Sequence, residues 1–155
     1  MARAPAPWFL EGPWFFVTFV AIWLFGTAIL SRISGWARLA EEFRSDAPAT
    51  GETFRFASGS MGRAPFRANY NSCLWLVVTP AGFQLSVWLP FRFLSPTLFI
   101  PWTRVESLEE KRVFLAKRVV IHVVGCWPAI SLLGKAGQAV RTAYLSAHGL
   151  HERSA

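Results

Sequence analysis

The sequence predicts an α+β protein: one apolar N-terminal helix, then a bent antiparallel sheet of about seven strands closed by a C-terminal helix. Three observations carry this expectation. Gly12 to Ser31 is a run of 20 uncharged residues dense in Trp, Phe, Val, Ile and Leu. After residue 51 the apolar residues recur every second position, as on strands, with Gly and Pro between the runs. From Lys135 the period returns to that of a helix. The expected organisation is a tail (1–11), a transmembrane helix (12–31), an amphipathic helix and linker (32–51), a β domain with its helix (52–149) and a short tail (150–155).

A helix of about 20 residues is roughly 30 Å long, the thickness of a bilayer's hydrocarbon core. The run is longer than the apolar core of a signal peptide and has no small-x-small pattern after it, so it reads as an uncleaved anchor. A helix apolar on every side needs either lipid or a large domain around it, and about 120 remaining residues make only one small domain. Arg32, Arg38 and Arg44 follow the run, against Arg3 before it. The positive-inside bias then puts the N-terminus outside and the C-terminal domain in the cytoplasm, at a cell inner membrane.

Trp36, Leu39, Ala40 and Phe43 fall at i, i+3, i+4, i+7, with Arg38, Glu41, Glu42 and Arg44 opposite. That pattern fits a continuation of the membrane helix, a helix lying on the membrane surface, or one packed on the domain. Pro48 and Gly51 end it. The expected strands are Thr53–Ser58, Tyr70–Thr79 and Phe83–Leu89, then Leu98–Ile100 and Arg104–Leu108 hinged at Pro101-Trp102. Arg112–Ala116, Arg118–Val124 and Ala129–Leu133 continue the alternation. Gly59–Ala68 reads as a turn-rich loop. In Phe83–Leu89 the alternation predicts one buried face, with Gln84 and Ser86 on the other. Ala136, Ala139, Val140, Ala143, Tyr144 and Ala147 mark one stripe of the last helix, and Gly149 stops it.

Seven strands and a terminal helix is the order of pleckstrin-homology-like and GRAM-like domains, and Leu98-Phe-Ile-Pro-Trp-Thr-Arg-Val105 resembles a strand-to-strand step seen in bacterial members. With Ser34-Gly-Trp-Ala-Arg-Leu-Ala40 and Asn69-Tyr-Asn71, the chain over residues 12–145 is similar to an uncharacterised family of short bacterial single-span membrane proteins. The resemblance implies a pleckstrin-homology-like sheet behind a membrane helix. It implies no activity.

No residue pattern points to catalysis. His122 sits in a strand, His148 and His151 lie at the tail, and the carboxylates Glu41, Glu42, Glu106, Glu109 and Glu110 read as solvated faces. No serine has a nucleophile-elbow context. Cys73 and Cys126 are the only cysteines, too few for a zinc site, and read as small buried hydrophobes. An enzyme assembled from unpatterned residues around Cys126 and His122 is a remote third reading. No cofactor or metal is expected. Gly59-Ser-Met-Gly62 has the spacing of a phosphate-clamping loop, but strands rather than helices flank it.

Charge is the most useful signal. The chain carries +7, from 16 Lys and Arg against 9 Asp and Glu. No acid occurs from Thr53 to Val105 or from Lys111 to His151. Such a surface suits an anionic leaflet, where each Lys or Arg adds roughly 1 kcal/mol. The first inter-strand loop sets Arg63 and Arg67 beside Met61 and Phe66, a pairing of charge and apolar surface suited to headgroup contact with shallow insertion. In pleckstrin-homology-like domains the corresponding loop often touches lipid. The expected function is therefore a non-enzymatic, membrane-anchored protein whose domain binds the anionic inner leaflet or a protein partner. The alternative is an accessory subunit of a larger membrane complex, its helix packed through Gly26, Thr27, Ala28 and Ser31. Nucleic acid is a less favoured partner, because the aromatic residues alternate as a core does and form no stacking platform.

Overall fold

The computed structural model describes residues 12–33, 35–62, 67–88, 92, 95–113 and 116–149, without the side chains of residues 30, 33 and 126–128. Both tails, Arg63 and Phe66 lie outside the described residues. The elements are α1 (Pro13–Ile33), α2 (Trp36–Phe43), β1 (Glu52–Met61), β2 (Ala68–Thr79), β3 (Gly82–Val87) and β4 (Leu98–Pro101). A 3-10 turn (Trp102–Arg104) leads to β5 (Val105–Val113), β6 (Ala116–Val123), β7 (Cys126–Leu133) and α3 (Gly134–Ala147).

The seven strands form one antiparallel sheet in the order β4-β3-β2-β1-β7-β6-β5, curled into a half-barrel. The curl turns on β1. Its first half pairs with β2 alone, whereas Gly59, Ser60 and Met61 pair with β2 on one side and β7 on the other. Gly59 read as a loop residue; it is a strand residue at a close crossing. A Cβ there would lie 2.5 Å from the Ser131 carbonyl oxygen, so only glycine lets β7 approach.

Register shifts between Phe54 and Gly59 bend β1 further. Phe56 takes φ 60° and Ser72, on the neighbouring strand, φ 53°. The left-handed region is costly for a bulky side chain, and bulges are where it is tolerated. The Ser72 amide donates to the Ser58 hydroxyl at 2.9 Å, which replaces a ladder bond lost there.

β3 differs from its expected one-sided burial, since Gly82–Leu85 and Val87 are all buried. The linker after α2 runs over its outer face. The Gln84 side-chain amide donates to the Ala47 carbonyl at 2.8 Å and accepts from the Ala49 amide at 3.3 Å, so its polar head is satisfied under cover. The segments expected at Arg104–Leu108 and Arg112–Ala116 are largely joined in a single strand, β5. β7 begins at Cys126, earlier than expected, with Pro128 inside it. The register with β6 shifts between Ile121 and Val123, so no ladder bond is demanded of the proline.

Helices close the curl. Of the three placements open to the amphipathic helix, α2 adopts the third: Trp36, Leu39 and Phe43 are buried in the same core as the sheet. Trp36 donates its indole N–H to the Pro96 carbonyl at 2.9 Å and packs on Tyr70 with ring centres 5.7 Å apart. On the other side α3 buries Ala136, Gly137 and Val140. Trp102 explains the Ile-Pro-Trp step. Its indole N–H donates to Thr79 O at 3.2 Å, and its ring meets Phe83 and Tyr144, tying β4 to β3 and α3.

α1 is 21 residues long and parts from α2 at Gly35, whose φ of 79° makes the turn. Among the described residues no helix is long and apolar enough to cross a membrane. The transmembrane role expected for residues 12–31 is accordingly no part of the observed fold. Ten large apolar side chains of α1 are exposed, among them Phe16, Ile22 and Phe25 at 68%, 67% and 69%.

Candidate functional site

The loop predicted to meet lipid is not assembled as expected. Met61 is 1% exposed, the last core residue of β1, held between Ala68 and Ile130. A side chain sealed between β2 and β7 offers nothing to a bilayer, which corrects its assignment as a contact residue. Arg63 and Phe66 lie outside the described residues. Arg67 is exposed and lines a cleft of about 410 Å³.

This cleft lies across the outer face of β5, β6 and β7. Strand alternation builds it: Val119, Ile121 and Val123 point into the core, which turns Arg118, Val120 and His122 outward. Cross-strand register puts Lys111 opposite Arg118, Glu109 opposite Val120, and Ser131 on the far side of Val120. Arg67, Lys111, Arg118, His122, Glu109 and Ser131 therefore share one concavity.

Its electrostatics are uneven. Glu109 is bound to Lys111 at 2.8 Å and lies 3.8 Å from the His122 ring nitrogen. The hydrogen bond and charge of Lys111 hold the Glu109 carboxyl below the usual carboxylate range. Arg67 and Arg118 have no ion-pair partner among the described residues. The Arg118 Nε is buried with no hydrogen-bond partner there, and so is the hydroxyl of Ser60, the register partner of Ser131. An unmet buried polar group costs about 1–3 kcal/mol; Trp75 Nε1, Arg104 Nε and Gln138 Nε2 are in the same condition away from this cleft.

The carboxylate next along, Glu110, belongs to a structural network instead. Lys117 and Arg141 each reach it at 3.3 Å, joining β5, β6 and α3. The Lys117 hydrogen bond is the main cause of its lowered pKa. Cys73 is half-buried, and burial raises its thiol pKa, so it is held as a thiol rather than a thiolate nucleophile. His122 is part of the cleft, whereas the Cys126 side chain lies outside the description. Among the described residues no three His, Cys, Asp or Glu side chains gather as metal ligands.

A larger groove of about 1160 Å³ runs between α3 and the open ends of β1 and β2, floored by Phe54, Val78, Ala139 and Ala143. Of the small residues on α1, Ser31 is buried and Thr27 half-buried. The Thr27 hydroxyl donates back within the helix, at 3.0 Å to Trp23 O and 2.9 Å to Leu24 O, so it needs no outside partner.

Sequence reasoning singled out Arg67, counted Lys111 and Arg118 only in the general basic surface, and gave Ser131 no role. Parity along β6 was legible and put Arg118 and His122 on one face. Their meeting with Lys111 and Ser131 depends on register across three strands. No protein-family model matches the sequence, and no curated protein is similar enough to count as a relative.

Proposed function

We propose that this chain is a non-enzymatic, membrane-anchored protein. In this reading α1 is inserted in a cell inner membrane with its N-terminus outside. The half-barrel is a pleckstrin-homology-like domain on the cytoplasmic side, where it binds the anionic leaflet or a protein partner. The observation that carries the reading is the uncovered apolar surface of α1, whose exposed Phe, Trp, Ile, Leu and Val side chains point in all directions from the axis. At about 1.5–3 kcal/mol for each large side chain fully buried, and with these ten 37–69% exposed, taking them out of water is worth about 8–16 kcal/mol. That matches or exceeds the whole stability of a typical domain.

The basic surface supports the same reading. Arg32 and Arg38 are exposed on either side of the joint between α1 and α2. Trp36 of that joint rests on Tyr70 near the start of β2, and Arg67 immediately precedes β2. The cations thus lie at the end of the domain from which α1 leaves.

Alkaline extraction of membranes from cells expressing the full chain tests the proposal. The protein stays in the membrane pellet. Phe16→Asp, Ile22→Asp and Phe25→Asp combined introduce three charges, each costing about 2.5–3.5 kcal/mol near a helix centre in a bilayer, which together offset most of that gain and move protein to the supernatant. Complete release of the unsubstituted chain by alkali overturns the reading.

A further inference from the structure

We propose that the cleft on the outer face of β5–β7 binds a phosphate group, gripped by Arg67 and Arg118 with Lys111 and His122 beside it. Among the described residues three permanent cations and one carboxylate line this cleft. The carboxylate, Glu109, is already engaged by Lys111. The excess charge falls on Arg67 and Arg118, which approach from different parts of the chain: the loop entering β2, and the first half of β6. A guanidinium offers a planar fork of N–H donors that matches phosphate oxygens, and two of them suit a dianion better than a single carboxylate.

Burial turns this charge into a site. The Arg118 Nε is buried without a partner among the described residues, although the side chain lines the cleft. Ser131 is 4% exposed and lines the same space. A ligand rich in acceptor oxygens suits the guanidinium donors of Arg67 and Arg118, which line the cleft. A nucleic-acid backbone fits less well. Among the described residues His122 is the one ring that lines the concavity for a base to stack on.

The phosphate can belong to a lipid headgroup or to a soluble ester, and the lipid source rests on the membrane reading above. The test uses the full chain in neutral-detergent micelles, titrated with inorganic phosphate and with glycerol 3-phosphate. Backbone amide shifts of residues 118–122 and 131 are followed. The same amides are then compared in phosphatidylcholine nanodiscs with and without phosphatidic acid.

Saturable shifts are expected with glycerol 3-phosphate. Arg118→Gln and, at an exposed position that folding tolerates, Arg67→Gln each weaken binding about 10- to 100-fold, the loss of one charged hydrogen-bonding partner. Lys135→Gln, which removes the same charge from the distant α3 groove, leaves affinity unchanged. If phosphatidic acid moves the same amides, the source is a headgroup. If only the soluble ester does, the cleft proposal stands and its membrane-facing role falls. The proposal is overturned if neither probe shifts these amides, or if Lys135→Gln weakens binding as much as Arg118→Gln.

Discussion

At position 56 the usual ranking of alanine and glycine in a strand should reverse. In an ordinary strand glycine is less stable than alanine by about 0.5–1 kcal/mol, because it loses more backbone freedom on folding. Phe56 lies in β1 with φ 60°, where any side chain with a Cβ pays about 1–2 kcal/mol for left-handed geometry. Alanine keeps that strain and glycine releases it. Both lose the same ring contact, Phe56 to Trp88 at 6.5 Å between centres, and Phe56 is already 57% exposed. The difference leaves Phe56→Gly more stable than Phe56→Ala by about 0.5–1 kcal/mol. Loss of an aromatic contact of about 0.5–1.5 kcal/mol keeps Phe56→Gly close to the parent chain. Urea unfolding of the full-length protein in micelles, followed by tryptophan fluorescence, reads the order directly. If Phe56→Ala proves the more stable by 0.5 kcal/mol or more, the bulge account of β1 is wrong.

Other consequences follow from the same structure. Leu39→Ala should cost about 2–5 kcal/mol, because α2 is part of the core and Leu39 is fully buried; a surface helix would lose almost nothing, and the unfolding midpoint decides. Gly59→Ala should cost about 1–3 kcal/mol, since the new methyl meets a strand backbone that cannot swing aside, and the loss of the Gly59–Leu132 pairing shows as faster amide exchange in β7. The carboxyls of Glu109 and Glu110 are held below their ordinary value of 4.5 in the folded state. Their stabilising effect is therefore present above about 4.5 and fades as pH falls through the lowered values, so the thermal midpoint should drop on acidification. Glu110→Gln should flatten that part of the pH profile, as should high salt.

The alternation of apolar residues made the sheet and its terminal helix legible, because a strand with one face in the core must place such residues two apart. Three signals misled for physical reasons. Gly59 looks like a turn residue, yet its lack of a side chain serves a close crossing of strands. Gln84 looks solvent-facing, yet a linker supplies backbone partners that allow its burial. Met61 looks like a loop residue beside Arg63, yet two further residues of strand carry it into the core. The cleft was only half visible. Arg67 stands out as a cation beside a turn, while Lys111, Arg118 and Ser131 gain meaning only through pairing between strands far apart in sequence.

Central to the account is the proposal that α1 is a bilayer helix with the sheet domain on the cytoplasmic side, and topology mapping addresses it most directly. Cys73 and Cys126 are replaced by alanine, and single cysteines are introduced by Ala4→Cys and Ser146→Cys in otherwise full-length chains. A membrane-impermeant maleimide is applied to intact spheroplasts and to inverted vesicles. The account predicts labelling at position 4 only from the outside and at position 146 only from the cytoplasmic face. Labelling of both positions from the same side would contradict it.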